Sequence, residues 1–185
     1  MSFRAFISAD LAAPVAVRAF SESLRETRAH LNLVDLDTFH LTMKFLGDIP
    51  ETAVEAIVAA VHAATAGEPP IDAQLRGAGA FPSLRRMTVV WVGVSDGGRL
   101  AGIATKLEDE MERGDFRRED RPFHAHATVA RVKGGAHREA LQKVLEAHVA
   151  TDFGMQRIES IRLKRSVLSG RGPTYSDVAV APLSG

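Results

Sequence analysis

The chain has 185 residues, a length that suits one sizeable core or two small lobes folded as a unit. Its 23 basic and 23 acidic side chains give a formal net charge of zero, which excludes the overall basic field that dominates tight nonspecific nucleic-acid binding. The absence of cysteine excludes disulfides, thiolate catalysis and cysteine-ligated zinc.

The chain begins with a strand and a helix. In residues 3–9 the apolar Phe3, Ala5 and Ile7 occupy every second position, and Asp10 bounds the run, which predicts a first strand. This run is too short for a signal peptide or a membrane span, so we expect a cytoplasmic protein without membrane contact. Pro14 suits a first helical turn, and apolar residues at helical spacing predict a helix that extends to about His30. Residues 31–34 predict a short strand.

A strand, a helix and another strand come next. Residues 39–47 form a β-prone run that a glycine ends. Residues 52–55 have the capping-box pattern and open an apolar stripe at i, i+3, i+4, i+7, which predicts the second helix. Residues 71–75 predict a strand, and residues 76–86, which contain glycine, serine and arginine, predict a loop.

The next segments again alternate between strand and helix. Residues 87–94 are almost continuously apolar, which predicts a strand buried on both faces. Residues 100–111 carry a third helical stripe that ends near Gly114. Residues 123–133 predict another strand, and a fourth helix comes after it with Leu141 facing inward.

The end of the chain is β-rich. Residues 157–168 only partly keep a period of two, which predicts a strand with a bulge. Residues 170–173 predict a turn, and residues 175–181 a hairpin partner. The element order indicates a rough internal duplication, and no long polar linker interrupts it. We therefore predict an α+β fold with two pseudo-symmetric lobes, mostly antiparallel sheets and a central cleft, formed by residues 1–185 as a single domain.

A His-x-Thr pattern occurs twice, each time within a β-prone run. The first pair is His40 and Thr42, and the second is His126 and Thr128. Successive side chains in a strand point to opposite faces, so each histidine shares a face with its threonine. One such pair is common by chance, but two copies are far less so. Two imidazoles and two hydroxyls are therefore expected to line one groove.

These side chains suit phosphoryl transfer without a metal. Histidine has an ordinary pKa of about 6.5, so it can give and take a proton near neutrality. Two histidines on opposite walls of a cleft can deprotonate a nucleophile and protonate a departing oxygen. The threonine hydroxyls can donate hydrogen bonds to the anion between them.

Three neighbouring residues leave alternatives open. Lys44 shares the nominal face of His40, where it either serves the anion or is solvated. Arg131 suits forked phosphate contacts, but strict alternation directs it to the other face, so a bulge or strand end is required. His124 and His126 have the spacing of a metal pair, yet no further ligand is evident, and a flanking role is favoured. No metal and no cofactor is predicted.

The two motifs resemble those of a known family. His40-Leu41-Thr42-Met43 and His126-Ala127-Thr128-Val129 are similar to the motifs of the LigT-like branch of the two-histidine phosphoesterases, the RNA 2',3'-cyclic phosphodiesterases also named 2'-5' RNA ligases. One departure is Ala125, where family members commonly carry proline. Further segments resemble the family in the same order over essentially the whole chain: 4–7, 77–82, 91–94 and 168–175.

The resemblance implies a bilobal phosphoesterase fold and a reaction. The reaction is metal-independent hydrolysis of RNA 2',3'-cyclic phosphate ends, such as those of tRNA fragments, to 2'-phosphomonoesters, with 2'-5' ligation as its reverse. The likeness makes His40 the general acid and His126 the general base, although the residues alone leave these roles open. By the same likeness, Thr42 and Thr128 bind the nonbridging oxygens of the phosphate, and Arg131 makes a third contact with it.

The sequence leaves other interpretations open. The substrate could be a small cyclic or 2'-5' linked nucleotide, since the motif chemistry would be identical. A noncatalytic RNA-end binding module is another alternative, and a metallohydrolase that uses His124 and His126 is a third. Phe81 and Tyr175 are candidates for stacking on a terminal base, whereas Trp91 is expected to be buried. A monomer is the default expectation.

Overall fold

The computed structural model describes residues 1–170 and 172–185 and has the α+β fold that the sequence predicts. Within these residues the strands are β1 (Ser2–Asp10), β2 (Leu31–Leu33), β3 (His40–Pro50), β4 (Ile71–Phe81), β5 (Val89–Ser95), β6 (His126–Val132), β7 (Asp152–Ile158), β8 (Ser160–Ser169) and β9 (Gly172–Pro182). The helices are α1 (Val15–Glu26), α2 (Val54–Thr65), α3 (Arg99–Arg113) and α4 (Arg138–Ala147).

The strands form two lobes that meet at the two motif strands. The sheet order is β7-β4-β5-β6-β3-β1-β8-β9, with β2 also paired to β6, and every pair is antiparallel. One lobe extends from β3 through β1 and β8 to β9, and α2 packs on it together with α3. The other extends from β6 through β5 and β4 to β7 and carries α1 and α4. The bilobal, mostly antiparallel prediction is confirmed.

The core lies between the sheet and the helices. The predicted stripe of α3 is buried as expected, from Leu100 to Met111. On α4, Leu141 and Leu145 are buried. On the motif strands, Leu41 and Ala127 point into this core. Because side chains alternate along a strand, burying these residues directs their neighbours to the opposite, open face of the sheet.

Two element ends differ from the prediction. Helix α1 ends at Glu26 rather than near His30, because Arg28 has a φ of 57° and leaves the helical region. The capping box before α2 was wrong: residues 51–53 form a 3₁₀ turn, and no side-chain hydrogen bond caps the helix at Ala53. The helix itself is confirmed, since its inward residues Ile57 and Val61 are buried.

The predicted loop over residues 76–86 was wrong in its first half, because β4 continues to Phe81. The pairing of β4 with β5 shifts between Leu75 and Ala78, so a bulge absorbs an extra residue there. A side chain at Gly79 would overlap the ring of Trp91, its partner on β5. Gly79, which suggested a loop, therefore serves close packing between strands.

Strand β7 was missed, and the predicted strand over residues 157–168 is divided between β7 and β8. The bulge predicted there is wrong, because Leu163 pairs with Ala179 and Lys164 with Asp177, so the extra residue is Val178 on β9. The hairpin partner is confirmed as β9. The turn predicted at residues 170–173 includes Arg171, which lies outside the described residues. Among those described, no helix has the length and apolar character needed to cross a membrane.

Candidate active site

The two motifs lie side by side where the lobes meet. Leu41 on β3 pairs with Ala127 on β6 in antiparallel orientation. Both side chains are fully buried, so the flanking His40, Thr42, His126 and Thr128, which are all half-buried, line the opposite face. The structure thus brings the four predicted side chains to one groove between the lobes.

Both histidines are held by the same backbone contact. Nδ1 of His40 lies 2.7 Å from the carbonyl oxygen of Thr38, and Nδ1 of His126 lies 2.6 Å from that of His124. Since a carbonyl oxygen only accepts, each Nδ1 is the donor and carries a proton. Each Nε2 is therefore left to exchange a proton with a ligand.

The charges around the two histidines differ. Burial lowers the pKa of His40, while its hydrogen bond to Thr38 and the carboxylate of Asp10 raise it, and the charges of Lys164 and Arg131 lower it. Burial also lowers the pKa of His126, opposed by its backbone hydrogen bond, and the neighbouring His124 lowers it further. An anionic neighbour favours the protonated form at His40, whereas a basic neighbour disfavours it at His126.

Asp10 was missed as a site residue because the sequence places it in a turn. In the structure it ends β1 and pairs directly with His40. Its Oδ2 accepts a hydrogen bond from Lys164, 2.8 Å away, and lies 3.5 Å from Nε of Arg162. The period of two along β1 predicts that Asp10 shares a face with Phe6 and Ser8. Its pairing with His40 depends on the tertiary structure, so the sequence alone did not reveal it.

A β-bulge lies directly after each motif. Ile7 pairs with Lys44 and Ser8 with Thr42, so Met43 is the extra residue on β3. On β6, Val90 pairs with Ala130 and Trp91 with Thr128, so Val129 is the extra residue. Consecutive residues are buried at both bulges, Met43 with Lys44 and Val129 with Ala130. The alternation is therefore reversed after each threonine.

The bulge on β6 changes where Arg131 lies. Strict alternation would direct Arg131 away from Thr128, but the extra Val129 returns it to the same face. Its charge lowers the pKa of His40 and of Tyr175. Since β3 and β6 are antiparallel at Leu41 and Ala127, the residues after Thr128 run alongside those before His40. Arg131 is exposed and stands at the His40 end of the groove.

The bulge on β3 removes Lys44 from the groove, contrary to both alternatives that the sequence left open. Its side chain is 3% exposed, and Nζ contacts the two carboxylate oxygens of Glu108 on α3 at 2.7 and 2.8 Å. It also donates to the carbonyl oxygen of Arg117 at 2.9 Å. Lys44 thus fastens β3 to α3 and to the loop before β6.

This buried ion pair predicts a stability effect. Replacing Lys44 with alanine leaves the carboxylate of Glu108 without its cation, so unfolding should become easier by about 3–5 kcal/mol. Urea denaturation of Lys44→Ala measures this change. The matched control is Arg25→Ala on α1, whose exposed pair with Glu22 should contribute less than about 1 kcal/mol. Equal effects of the two substitutions would contradict the assignment.

Aromatic rings contact both histidines. The ring of His40 lies 5.1 Å from that of Phe6 and 5.3 Å from that of Tyr175. The ring of His126 lies 4.8 Å from Phe81 and 6.3 Å from Trp91. Trp91 is half-buried rather than fully enclosed. Tyr175 and Phe81 are both brought into the groove.

The groove face also holds polar atoms that the protein leaves unsatisfied. Among the described residues, three buried side-chain atoms lack a hydrogen-bond partner: Ser8 Oγ, Asp10 Oδ1 and Trp91 Nε1. Their residues pair with Thr42, His40 and Thr128, respectively. Buried polar atoms are normally satisfied, so this clustering marks a surface suited to a polar ligand.

The described part of the chain contains no cluster of three or more His, Cys, Asp or Glu side chains positioned to hold a metal ion. His124 and His126 have ring centroids 5.8 Å apart, and His124 is exposed at the rim of the groove.

Sequence comparison places the chain among named relatives. The model of the 2'-5' RNA ligase superfamily matches residues 13–166. The RNA 2',3'-cyclic phosphodiesterase of Methanothermobacter thermautotrophicus is 33% identical over 182 residues, which cover 97% of this chain and 98% of the relative. That of Aeropyrum pernix is 36% identical over 158 residues, covering 83% and 87%.

Solved structures share the fold. TT0787 of Thermus thermophilus superposes with a TM-score of 0.77 and 29% identity over 97% of each chain. Escherichia coli LigT, in its complex with 3'-AMP, has a TM-score of 0.74 over 100% of each chain. At 22% identity, this second likeness concerns the fold alone.

Proposed function

The chain belongs to the 2'-5' RNA ligase superfamily, and from this premise we propose that it hydrolyses RNA 2',3'-cyclic phosphate ends to 2'-phosphomonoesters without a metal ion. The observation that supports this most directly is the pairing of the two motif strands, β3 and β6. In both motifs, Nδ1 of the histidine is hydrogen-bonded to a backbone carbonyl oxygen. We also propose that residues 1–185 form a single bilobal domain, since one sheet extends through both lobes.

The charges favour one assignment of the acid and the base. Asp10 pairs with His40, and its carboxylate raises the pKa of His40 against the lowering by burial, Lys164 and Arg131, so we assign His40 as the general acid. His126 lies beside another imidazole, which favours its neutral form, so we assign it as the general base. Both roles use Nε2, because Nδ1 is occupied by the backbone contact.

The reaction then proceeds by in-line displacement. Nε2 of His126 takes a proton from water as the water oxygen attacks phosphorus. The bond from phosphorus to the 3' oxygen breaks, and His40 protonates that oxygen, so the phosphate remains on the 2' oxygen. The hydroxyls of Thr42 and Thr128 donate to the nonbridging oxygens, and Arg131 adds a forked contact, which stabilises the charge that builds in the transition state.

The pH dependence is set by the two histidines. Turnover needs one of them protonated and the other neutral, and burial lowers the pKa of both from about 6.5. Activity should fall at low pH, as the base becomes protonated, and at high pH, as the acid loses its proton. We expect a bell-shaped kcat/KM with its maximum below about pH 6.5. A rate that stays level up to roughly pH 8 would contradict this mechanism.

Substrate choice tests the proposal against its alternative. We propose RNA ends, such as those of tRNA fragments, as substrates of a cytoplasmic monomer. Rates are compared for a short RNA with a 2',3'-cyclic phosphate, a 2',3'-cyclic mononucleotide and a 2'-5' linked adenylate. A preference for the RNA supports the proposal. Activity on the adenylate alone would favour a small-nucleotide enzyme, and binding of the RNA without turnover would favour a binding module.

A further inference from the structure

The lobe of β1, β8 and β9 presents an arginine to the groove that the proposed mechanism does not use. On β1, Phe6 faces the groove, since its ring lies 5.1 Å from the rings of His40 and Tyr175. Arg4 is two residues from Phe6 on the same strand, and β1 pairs with β8 without interruption from Arg4 to Ser8, so Arg4 shares the groove face. Arg4 pairs with Ser166 on β8, which in turn pairs with Tyr175 on β9.

Arg4 differs in its contacts from two other cations on this face. Those two are paired with carboxylates: Lys164 and Arg162 each contact Asp10 and Asp177. Within residues 1–170 and 172–185, the side chain of Arg4 forms no salt bridge and no hydrogen bond, and the residue is exposed. The guanidinium of Arg4 is therefore available to a ligand.

The charge of Arg4 acts toward the groove. Asp48 is its partner on β3, but among the described residues no carboxylate lies within ion-pair distance of Arg4. Burial raises the pKa of the Tyr175 hydroxyl, and the charges of Arg131 and Arg4 lower it. A cation on the groove face that the protein does not neutralise suits an anionic part of the substrate.

The position of Arg4 separates it from the reacting phosphate. Ser8 on β1 is the partner of Thr42, whose hydroxyl binds that phosphate in the proposed mechanism. Arg4 precedes Ser8 by four residues, which is about 13 Å along the strand at roughly 3.3 Å per residue. The contacts that we assign to the reacting phosphate, from Thr42, Thr128 and Arg131, therefore leave Arg4 free for a different anion of the same RNA.

The geometry of the displacement determines which part of the RNA crosses this lobe. Attack and departure occur on opposite sides of phosphorus. Since His126 acts on the water, the terminal ribose, which carries the departing 3' oxygen, lies on the side of His40 and of the β1 lobe. The 5' oxygen of that ribose belongs to the phosphodiester that leads to the preceding nucleoside. The RNA chain therefore continues over the face that carries Arg4.

We propose that Arg4 binds the phosphodiester that joins the terminal nucleoside to the one before it, and thereby favours RNA ends over cyclic mononucleotides. This inference rests on the proposed function and adds a substrate contact to it. A guanidinium forms forked contacts with two oxygens of one phosphate. A contact with the backbone carries no sequence information, so any penultimate base is accepted. A 2',3'-cyclic mononucleotide lacks this phosphodiester and does not gain from the contact.

The test changes each partner of the contact in turn. The substrates are a 2',3'-cyclic mononucleotide, a short RNA with a 2',3'-cyclic phosphate, and the same RNA with a neutral methylphosphonate as its last internal linkage. The penultimate ribose carries a 2'-O-methyl group in both RNAs, which keeps the neutral linkage intact. The value of kcat/KM is measured for the wild type, Arg4→Ala and Arg165→Ala.

Arg165 is the matched control because it lies close to Arg4 on the opposite face of the sheet. It pairs with Ala5, the neighbour of Arg4, and Ala5 points into the core. Its guanidinium lies 4.0 Å from the centre of the Phe3 ring. Arg165→Ala thus removes an arginine of the same lobe without changing the groove.

We expect Arg4→Ala to lower kcat/KM about tenfold for the RNA, the loss of one charged contact, and to leave the cyclic mononucleotide unaffected. The methylphosphonate should lower the wild-type value by a similar factor. It should cost Arg4→Ala nothing further, because both changes remove the same contact. Arg165→Ala should match the wild type on all three substrates.

Equal losses on the RNA and on the mononucleotide would overturn the proposal, since Arg4 would then act on the reacting phosphate or on the fold. Losses that add when Arg4→Ala meets the methylphosphonate would overturn it as well. So would a wild-type rate that the neutral linkage leaves unchanged, a result that needs no variant to fold. If the wild type hydrolysed none of the three substrates, the proposed function itself would be overturned.

Discussion

His40→Asn and His126→Asn should each lower kcat by roughly 10²- to 10⁴-fold, the range for removing a positioned general acid or base. Asparagine keeps a polar group near each backbone carbonyl but cannot exchange a proton near neutrality. The two losses should not add, because both histidines act in one displacement step. The double variant should therefore be little slower than the slower single variant.

The measurement is single-turnover cleavage of a short RNA with a 2',3'-cyclic phosphate end. His62→Asn is the control, because His62 lies exposed on α2. Binding of the cyclic end should persist in His40→Asn and His126→Asn. Wild-type rates in either of these variants would exclude that histidine from the chemistry, and loss of binding together with activity would indicate a structural role.

Arg131→Ala should lower kcat by roughly 10²- to 10³-fold, the cost of losing one donor to the developing anion. The β6 bulge at Val129 places Arg131 on the face of Thr128, and its charge acts on His40. Arg131→Lys should recover only part of the rate, since an ammonium cannot form the planar fork that a guanidinium offers to two phosphate oxygens.

The control for this prediction is Arg86→Ala, which removes an exposed loop arginine. Rates at saturating substrate distinguish a transition-state contact from general attraction of RNA. If Arg131→Ala raised KM but left kcat unchanged, Arg131 would only attract the substrate. A full recovery in Arg131→Lys would show that charge alone suffices.

The alternation of side chains along a strand was enough to predict that each histidine shares a face with its threonine. It could not predict the break in alternation after each threonine, because a bulge depends on pairing with the neighbouring strand. The bulges decide that Lys44 is buried against Glu108 and that Arg131 joins the groove. The sequence could only state that Arg131 needed such a bulge.

Long-range pairing explains the other differences. Asp10 is an ordinary turn carboxylate in the sequence and becomes a site residue because β1 pairs with β3. The two lobes are not the two halves of the chain, since β8 and β9 return to the lobe of β1, while α1 packs against β7 in the other lobe. Local hydrophobic periodicity carries no information about either arrangement.

The proposed mechanism requires that two histidines hydrolyse a cyclic phosphate without a metal. The most direct test is to incubate the pure protein, in EDTA, with a short RNA that ends in a 2',3'-cyclic phosphate, and to identify the product terminus. A 2'-phosphate that forms in EDTA and disappears in His40→Asn or His126→Asn is the predicted result. Turnover only after zinc or manganese is added, or a 3'-phosphate product, would contradict the mechanism.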